Sequence, residues 1–205
     1  MPFVAAIGGD AEILEAYLDG APVACERLVT SYQDRLYRFA LRVLGNQSDA
    51  EEVVQDAFVS AHRTLTRRYS GERIRALKLR PWLYRITVNL ARNKSRGTKT
   101  TVSSLDGADL ADSGDSSVPS APNGRSSGDP LVAVELLDTR ALLATSLMRL
   151  SPAQREAVVL RYVQGLGYAE AAAALGRPIG TVKSDAHRGL ARLARFLSDT
   201  NLEVM

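Results

Sequence analysis

Near the end of this 205-residue chain, short hydrogen-bond donors and long cations recur at helical spacing. Lys183 with His187, and Ser184 with Arg188, stand four residues apart, so in a helix each pair shares one side of the cylinder. Val182, Ala186, Leu193 and Leu197 fall on the other side, where they can face a core. Residues 177–195 hold five Lys or Arg and one acid, Asp185. Such a face makes and breaks no bonds. Its cations suit phosphate contacts, and its short polar side chains suit base edges. The preceding residues supply the support for that task. Tyr168 to Leu175 reads as a short Ala-rich helix, Gly176 with Arg177 and Pro178 as a sharp turn, and Thr181 as the start of the last helix. Small residues at Ala171–Ala174 let the two helices cross closely, and Gly176 ends the first. This is the pattern of a helix-turn-helix that lays its second helix in the major groove of duplex DNA. A plain helical hairpin with a solvated basic face is the alternative, and the Ala run, the glycine and the one-sided charge together favour DNA.

A second basic region lies upstream. From Arg63 to Arg96 there are eleven Lys or Arg residues against one acid, Glu72, which calls for a polyanionic partner. Leu28, Tyr32, Leu36, Phe39 and Val43 mark a helix that Gly45 and Asn46 close. Ser48 followed by Glu51 is a capping-box signature for the next helix. There Val53, Val54, Ala57, Phe58, Ala61 and Leu65 form an apolar stripe, while Asp49, Glu52, Gln55 and Asp56 occupy the other face. Pro81 marks a further helix start. In it Leu83, Ile86, Val88 and Leu90 turn inward and Arg85, Asn89, Arg92, Asn93 and Lys94 are left for a partner.

Between these regions, residues 99–130 replace hydrophobic periodicity with Ser, Gly, Asp and Pro, a composition that cannot bury enough to fold. Five aspartates against Lys99 and Arg125 make this linker acidic. The expected fold is therefore all-α: a helical domain over 10–98, a flexible acidic linker over 99–130, and a second helical domain over 131–200 containing the helix-turn-helix. The latter opens with an amphipathic helix over 131–149, and Ser151 with Pro152 starts another that ends near Gly165. No apolar run approaches the ~20 residues of a membrane span, and the N-terminal stretch lacks a signal-peptide pattern, so the expected location is the cytoplasm. Cys25 is the only cysteine, which excludes an internal disulfide, and with His62 and His187 it does not make a closed zinc site. No cofactor is expected. A phosphate-binding glycine loop, a metal cluster and a nucleophile with a base partner are all missing, so an enzyme reading lacks its parts.

Three segments carry a resemblance: SDAEEVVQDAF at 48–58, WLYRITVNLARN at 82–93, and LSPAQREAVVLRYVQGLGYAEAAAALGRPIGTVKS at 150–184. In order and spacing they resemble the sigma-70 family of transcription initiation factors, in its compact extracytoplasmic-function (ECF) group, which keeps only conserved regions 2 and 4. The resemblance implies a non-enzymatic specificity subunit. It would bind core RNA polymerase through the β′ clamp helices and the β flap, recognise −35 and −10 promoter elements, and help to open the duplex. Asp49, Glu52, Gln55 and Asp56 are similar to the surface that docks on the clamp helices. Arg85, Asn89, Arg92, Asn93 and Lys94 are similar to the −10 reader, where an Asn amide both donates and accepts at a base edge. Residues 66–80 resemble the loop that holds a flipped −10 base, with Tyr69 its one ring; steering by charge is the other role open to the same basic residues. Trp82 reads as a core anchor rather than a base stacker. Thr181, Lys183, Ser184, Asp185, His187, Arg188 and Arg192 match the −35 reader. The linker resembles the segment threading the polymerase cleft, and an acidic tether is the plainer reading of it. Many members are held by an anti-sigma factor, which makes one a candidate partner, and membrane insertion is not expected.

The chain departs from the family pattern in its last helix. Asp185 puts an acid where many relatives carry Arg, and Gly189 with Leu190 replaces a frequent Ala-Arg pair. An acid beside phosphate loses attraction unless it accepts from a cytosine amino group, and a helical glycine costs up to ~1 kcal/mol. An unusual −35 preference is the expectation. An autonomous helix-turn-helix repressor or activator is the competing function, and it leaves the segments at 48–58 and 82–93 without a task.

Overall fold

The computed structural model describes residues 9–97 and 141–203. Every regular element among these residues is helical, and the contacts gather into two compact units divided between Asp109 and Leu110. The acidic linker expected over 99–130, and the first part of the helix expected over 131–149, lie outside the described residues.

The first unit consists of α1 (Asp10–Leu18), α2 (Ala24–Leu44), α3 (Gln47–Arg67), α4 (Gly71–Arg75) and α5 (Leu79–Ser95). Helices α2, α3 and α5 pack on one another, and α1 lies against α2, α4 and α5. Leu28, Tyr32, Leu36 and Phe39 recur every three or four residues along α2 and are enclosed, which is why that period forms a helix here. Ala57, Ala61 and Leu65 meet them from α3, and Leu83, Tyr84 and Ile86 from α5. The Phe39 and Tyr84 rings meet edge to face, centroids 5.4 Å apart. Each large apolar side chain so enclosed stabilises the unit by roughly 1.5–3 kcal/mol.

The boundaries differ slightly from the sequence expectation. Gly45 does end α2, at φ +73° with its N–H donating to Leu41 O at 2.8 Å. Asn46, however, takes the capping role expected of Ser48. Its Oδ1 accepts from the Asp49 N–H at 3.0 Å, so α3 starts at Gln47 and Ser48 is already helical. One glycine and one asparagine thus end a helix and begin the next with no loop between them. Within 66–80 a short helix, α4, is capped by Ser70, whose Oγ accepts from the Arg73 N–H at 3.3 Å. Helix α5 starts at Leu79. Pro81 then lies in its first turn, where a missing N–H costs nothing.

In the second unit residues 141–148 form α6, followed by α7 (Pro152–Val158), a π turn over Val159–Val163, α8 (Tyr168–Leu175) and α9 (Ile179–Glu203). Ser151 caps α7 and Pro152 occupies its first turn, as expected. Arg155 is buried, and its guanidinium donates to Leu147 O at 2.9 Å, Met148 O at 2.8 Å and Leu150 O at 3.1 Å. These carbonyls lie in the last turn of α6 and just beyond it, so one cation ties the end of α6 to α7. Burial lowers the Arg155 pKa from its ordinary value. The π turn is closed by the Gln164 N–H reaching back to Val159 O at 2.9 Å. Helix α9 packs on α7 and α8. Ala171 and Ala174 are buried and Gly176 leaves α8 at φ +63°, the close crossing and left-handed exit that the helix-turn-helix pattern requires.

Candidate nucleic-acid interface

Val182, Ala186 and Leu193 hold α9 against the second unit's core. That fixes its outward face. Thr181, Lys183, Ser184, His187, Arg188 and Arg192 are all exposed, and Arg192 Nη1 also donates to Gln154 Oε1 at 3.3 Å. Two residues outside the expected set join this face. The Tyr168 ring, at the start of α8, lies 4.9 Å from Arg161 Cζ and 5.6 Å from Lys183 Nζ, and the His187 ring stands 6.4 Å from it. One phenol therefore gathers three basic side chains into a patch. The Tyr162 hydroxyl lies 3.4 Å from that of Tyr168, and this hydrogen bond pushes the Tyr162 pKa up. The sequence signal was a tyrosine opening the first helix of the motif, seven residues after Arg161.

Asp185 lies beneath the outward face rather than on it, which corrects the expectation that it stands among the groove-facing residues. It is 8% exposed. Its Oδ2 accepts from Arg177 Nη1 at 3.0 Å and its Oδ1 from Arg188 Nη2 at 3.2 Å, while Arg177 Nη2 donates to the buried Glu156. The acid's charge is met by two cations before any phosphate approaches. Gly189 also has a packing reason. A Cβ there would stand 2.7 Å from Val158 Cγ2 and 3.3 Å from Gln154 O, so the missing side chain is what lets α9 approach α7. Leu190 is exposed.

In the first unit, Glu52, Gln55 and Asp56 are exposed on α3 and Asp49 is half-buried beside them. Lys94 joins this acidic face rather than the basic one. Its Nζ lies 2.6 Å from Glu52 Oε2 and 3.4 Å from Asp49 Oδ1, and the hydrogen bond to Glu52 raises its pKa, holding it charged. On α5, Arg85, Asn89, Arg92 and Asn93 are half-buried and share one side by their spacing. Asn93 Oδ1 accepts from Arg96 Nη2 at 2.8 Å, which leaves the amide's own donors for a partner. Trp82 is buried, as a core anchor should be. The Tyr69 ring stands 5.8 Å from that of Trp82 and carries the Arg73 guanidinium 4.3 Å from its centroid. A base stacking on Tyr69 would share the ring with that cation. Among the described residues no group of three His, Cys, Asp or Glu is placed to hold a metal, and no helix is long and apolar enough to cross a membrane.

Comparison with known proteins bears on both units. Residues 28–101 match the family described as sigma-70 region 2, and residues 140–193 match sigma-70, region 4. The chain is 34% identical over 182 residues to the ECF RNA polymerase sigma factor SigE of Mycolicibacterium smegmatis, covering 87% of this chain and 63% of that protein's length. It is 32% identical over 175 residues to the ECF RNA polymerase sigma factor SigW of Bacillus subtilis, covering 84% of this chain and 88% of SigW. Among solved structures, the sigma factor RpoE of Bartonella quintana, in complex with the anti-sigma factor NepR, superposes with a TM-score of 0.58 at 27% identity, covering 84% of this chain and 96% of that one. The two matched regions, in this order and over this length, place the chain in the ECF group of the sigma-70 family of RNA polymerase sigma factors.

Proposed function

We propose that this chain binds core RNA polymerase and directs it to promoters, with the polymerase performing the chemistry. Helices α8 and α9 read the −35 element through Thr181, Lys183, Ser184, His187, Arg188 and Arg192. The α5 residues Arg85, Asn89, Arg92 and Asn93, with Tyr69 beside Trp82 of the same helix, read and help open the −10 element. The α3 face of Asp49, Glu52, Gln55 and Asp56 docks on the β′ clamp helices, and the region 4 unit meets the β flap. The observation that carries this reading is that one chain presents an acidic helix face, an Asn- and Arg-rich helix and a basic helix-turn-helix, and is similar along most of its length to relatives named RNA polymerase sigma factors. An anti-sigma factor as an inhibitory partner is supported by the RpoE–NepR complex. Action in the cytoplasm, at the nucleoid, follows from the proposed partners.

Run-off transcription from a pool of promoter fragments, with core polymerase and with or without this chain, tests the proposal. Transcripts that start at defined positions only when the chain is present are expected. Tight, specific duplex binding by the chain alone, with no effect on core polymerase, would instead support an autonomous repressor or activator.

A further inference from the structure

A carboxylate taken out of water keeps its charge without penalty only when it is paired. Asp185 is paired twice, and the two pairs differ in kind. Its Oδ2 takes Arg177 Nη1 at 3.0 Å, and Arg177 is held in turn by Glu156 on α7. That oxygen is thereby fixed to the turn between α8 and α9 and to the helix beneath. Its Oδ1 receives Nη2 of Arg188, a side chain that is 65% exposed, and Arg188 Nε donates to Ser184 O at 3.3 Å. Two of the five guanidinium N–H groups are used and three remain. A guanidinium held at two points is a fixed fork, whereas an untethered one on a flexible stem is a mobile charge. Fixed forks suit the O6 and N7 acceptors of guanine, and mobile charges serve any phosphate. Resting on the reading of α9 as the −35 helix, we propose that Asp185 is a positioning residue. It holds Arg188 for a guanine in the upstream element, so that specificity at one base pair depends on an acid that does not itself touch DNA. The anchor of this device is the chain Glu156, Arg177, Asp185, and the part it holds is Arg188.

The test uses holoenzyme assembled from core polymerase and the full chain to select upstream elements from a randomised duplex pool. Wild type, Asp185→Asn, Arg188→Ala and the double variant are compared. Wild type is expected to enrich guanine at one position by about tenfold or more, the scale of one bidentate contact. Arg188→Ala and Asp185→Asn should each lose that enrichment and keep the others, and the double variant should look like Arg188→Ala. An unchanged guanine preference in Asp185→Asn overturns the proposal, as does an effect of Asp185→Asn that persists in the Arg188→Ala background. Should Asp185→Asn fail to fold, Arg188→Lys decides the matter, because it alters only an exposed side chain. It keeps the charge and lacks the fork, so guanine preference should vanish while the salt dependence of binding stays. Retained preference in Arg188→Lys overturns the proposal. Wild-type holoenzyme that enriches no upstream element would overturn the reading of α9 itself, a different result from enrichment that ignores Arg188.

Discussion

In the first unit a lysine bridges two carboxylates at the surface, Lys94 between Asp49 and Glu52, whereas in the second Glu156, Arg177 and Asp185 form a chain beneath the reading face, with Glu156 3% exposed. Surface pairs are screened by salt and exchange readily for other partners. Buried pairs cannot be exchanged without leaving a desolvated charge behind. The first arrangement leaves an acidic face that a basic partner can take over, displacing one lysine. The second cannot be traded in that way, so it holds in place the side chains proposed to meet DNA.

Removing one member of the buried chain should have the largest effect on stability. Glu156→Ala takes one of the two carboxylates of Arg177, leaving it Asp185 and partial solvation, and is expected to destabilise the second unit by about 2–3 kcal/mol, read by urea unfolding. A loss below about 1 kcal/mol would mean that the buried chain is no different in kind from the Lys94 pair. Gly189→Ala comes next. The alanine gains up to ~1 kcal/mol in helix propensity, but its Cβ meets Val158 and the Gln154 backbone, and overpacking of that sort costs ~1–3 kcal/mol. A net loss of about 1 kcal/mol is expected, and a gain would show that α7 yields.

Alkaline pH tests the first unit in another way. Burial pushes the Tyr84 phenol from its ordinary 10.0 up to about 12, so the folded first unit favours the neutral ring. That contribution is complete below about pH 10 and is lost as pH rises toward 12. Trp82 is the chain's single tryptophan and lies in this unit, so its fluorescence reports the first unit's Tm directly. A Tm that is level to pH 9.5 and falls beyond 10 is expected; a level Tm to 12 would contradict it. The smallest effect on stability should come from Lys94→Ala, with no measurable shift in Tm. Its effect should appear instead as modestly tighter binding to core polymerase that fades with added salt, and weaker binding would show that Lys94 itself touches the polymerase.

Periodicity and turn chemistry were enough to foresee α2, α3, α5, α7, α8 and α9 in their order, though not α1 or the short α4. The α2 stripe, the Gly45 stop, the Ser151 cap and the Gly176 turn each follow from a local rule, and local rules are readable one segment at a time. Boundaries that depend on two neighbouring caps were less legible, as Asn46 shows by displacing Ser48. Least legible were features decided by a distant partner. Asp185 turned inward because Arg177 and Glu156 wait there, eight and twenty-nine positions away along the chain. Gly189 looked like a weakened helix until α7 stood 2.7 Å from its absent Cβ. Lys94 matched the basic face by sequence and met the acidic one in space. Charge can be counted in a sequence; where it is spent is a property of the fold.

The proposed division of labour gives the upstream element to α9 and the reading and opening of the downstream element to α5. Footprinting of the holoenzyme on a promoter recovered from the selected pool, combined with detection of unpaired thymines, tests it most directly. Arg188→Ala should weaken protection over the upstream element and leave thymine reactivity downstream and binding to core polymerase intact, while Asn89→Ala with Asn93→Ala should keep that protection and abolish thymine reactivity at the downstream element. Loss of both signals from either variant, in holoenzyme that still assembles, would show that the two helices do not divide the promoter in this way.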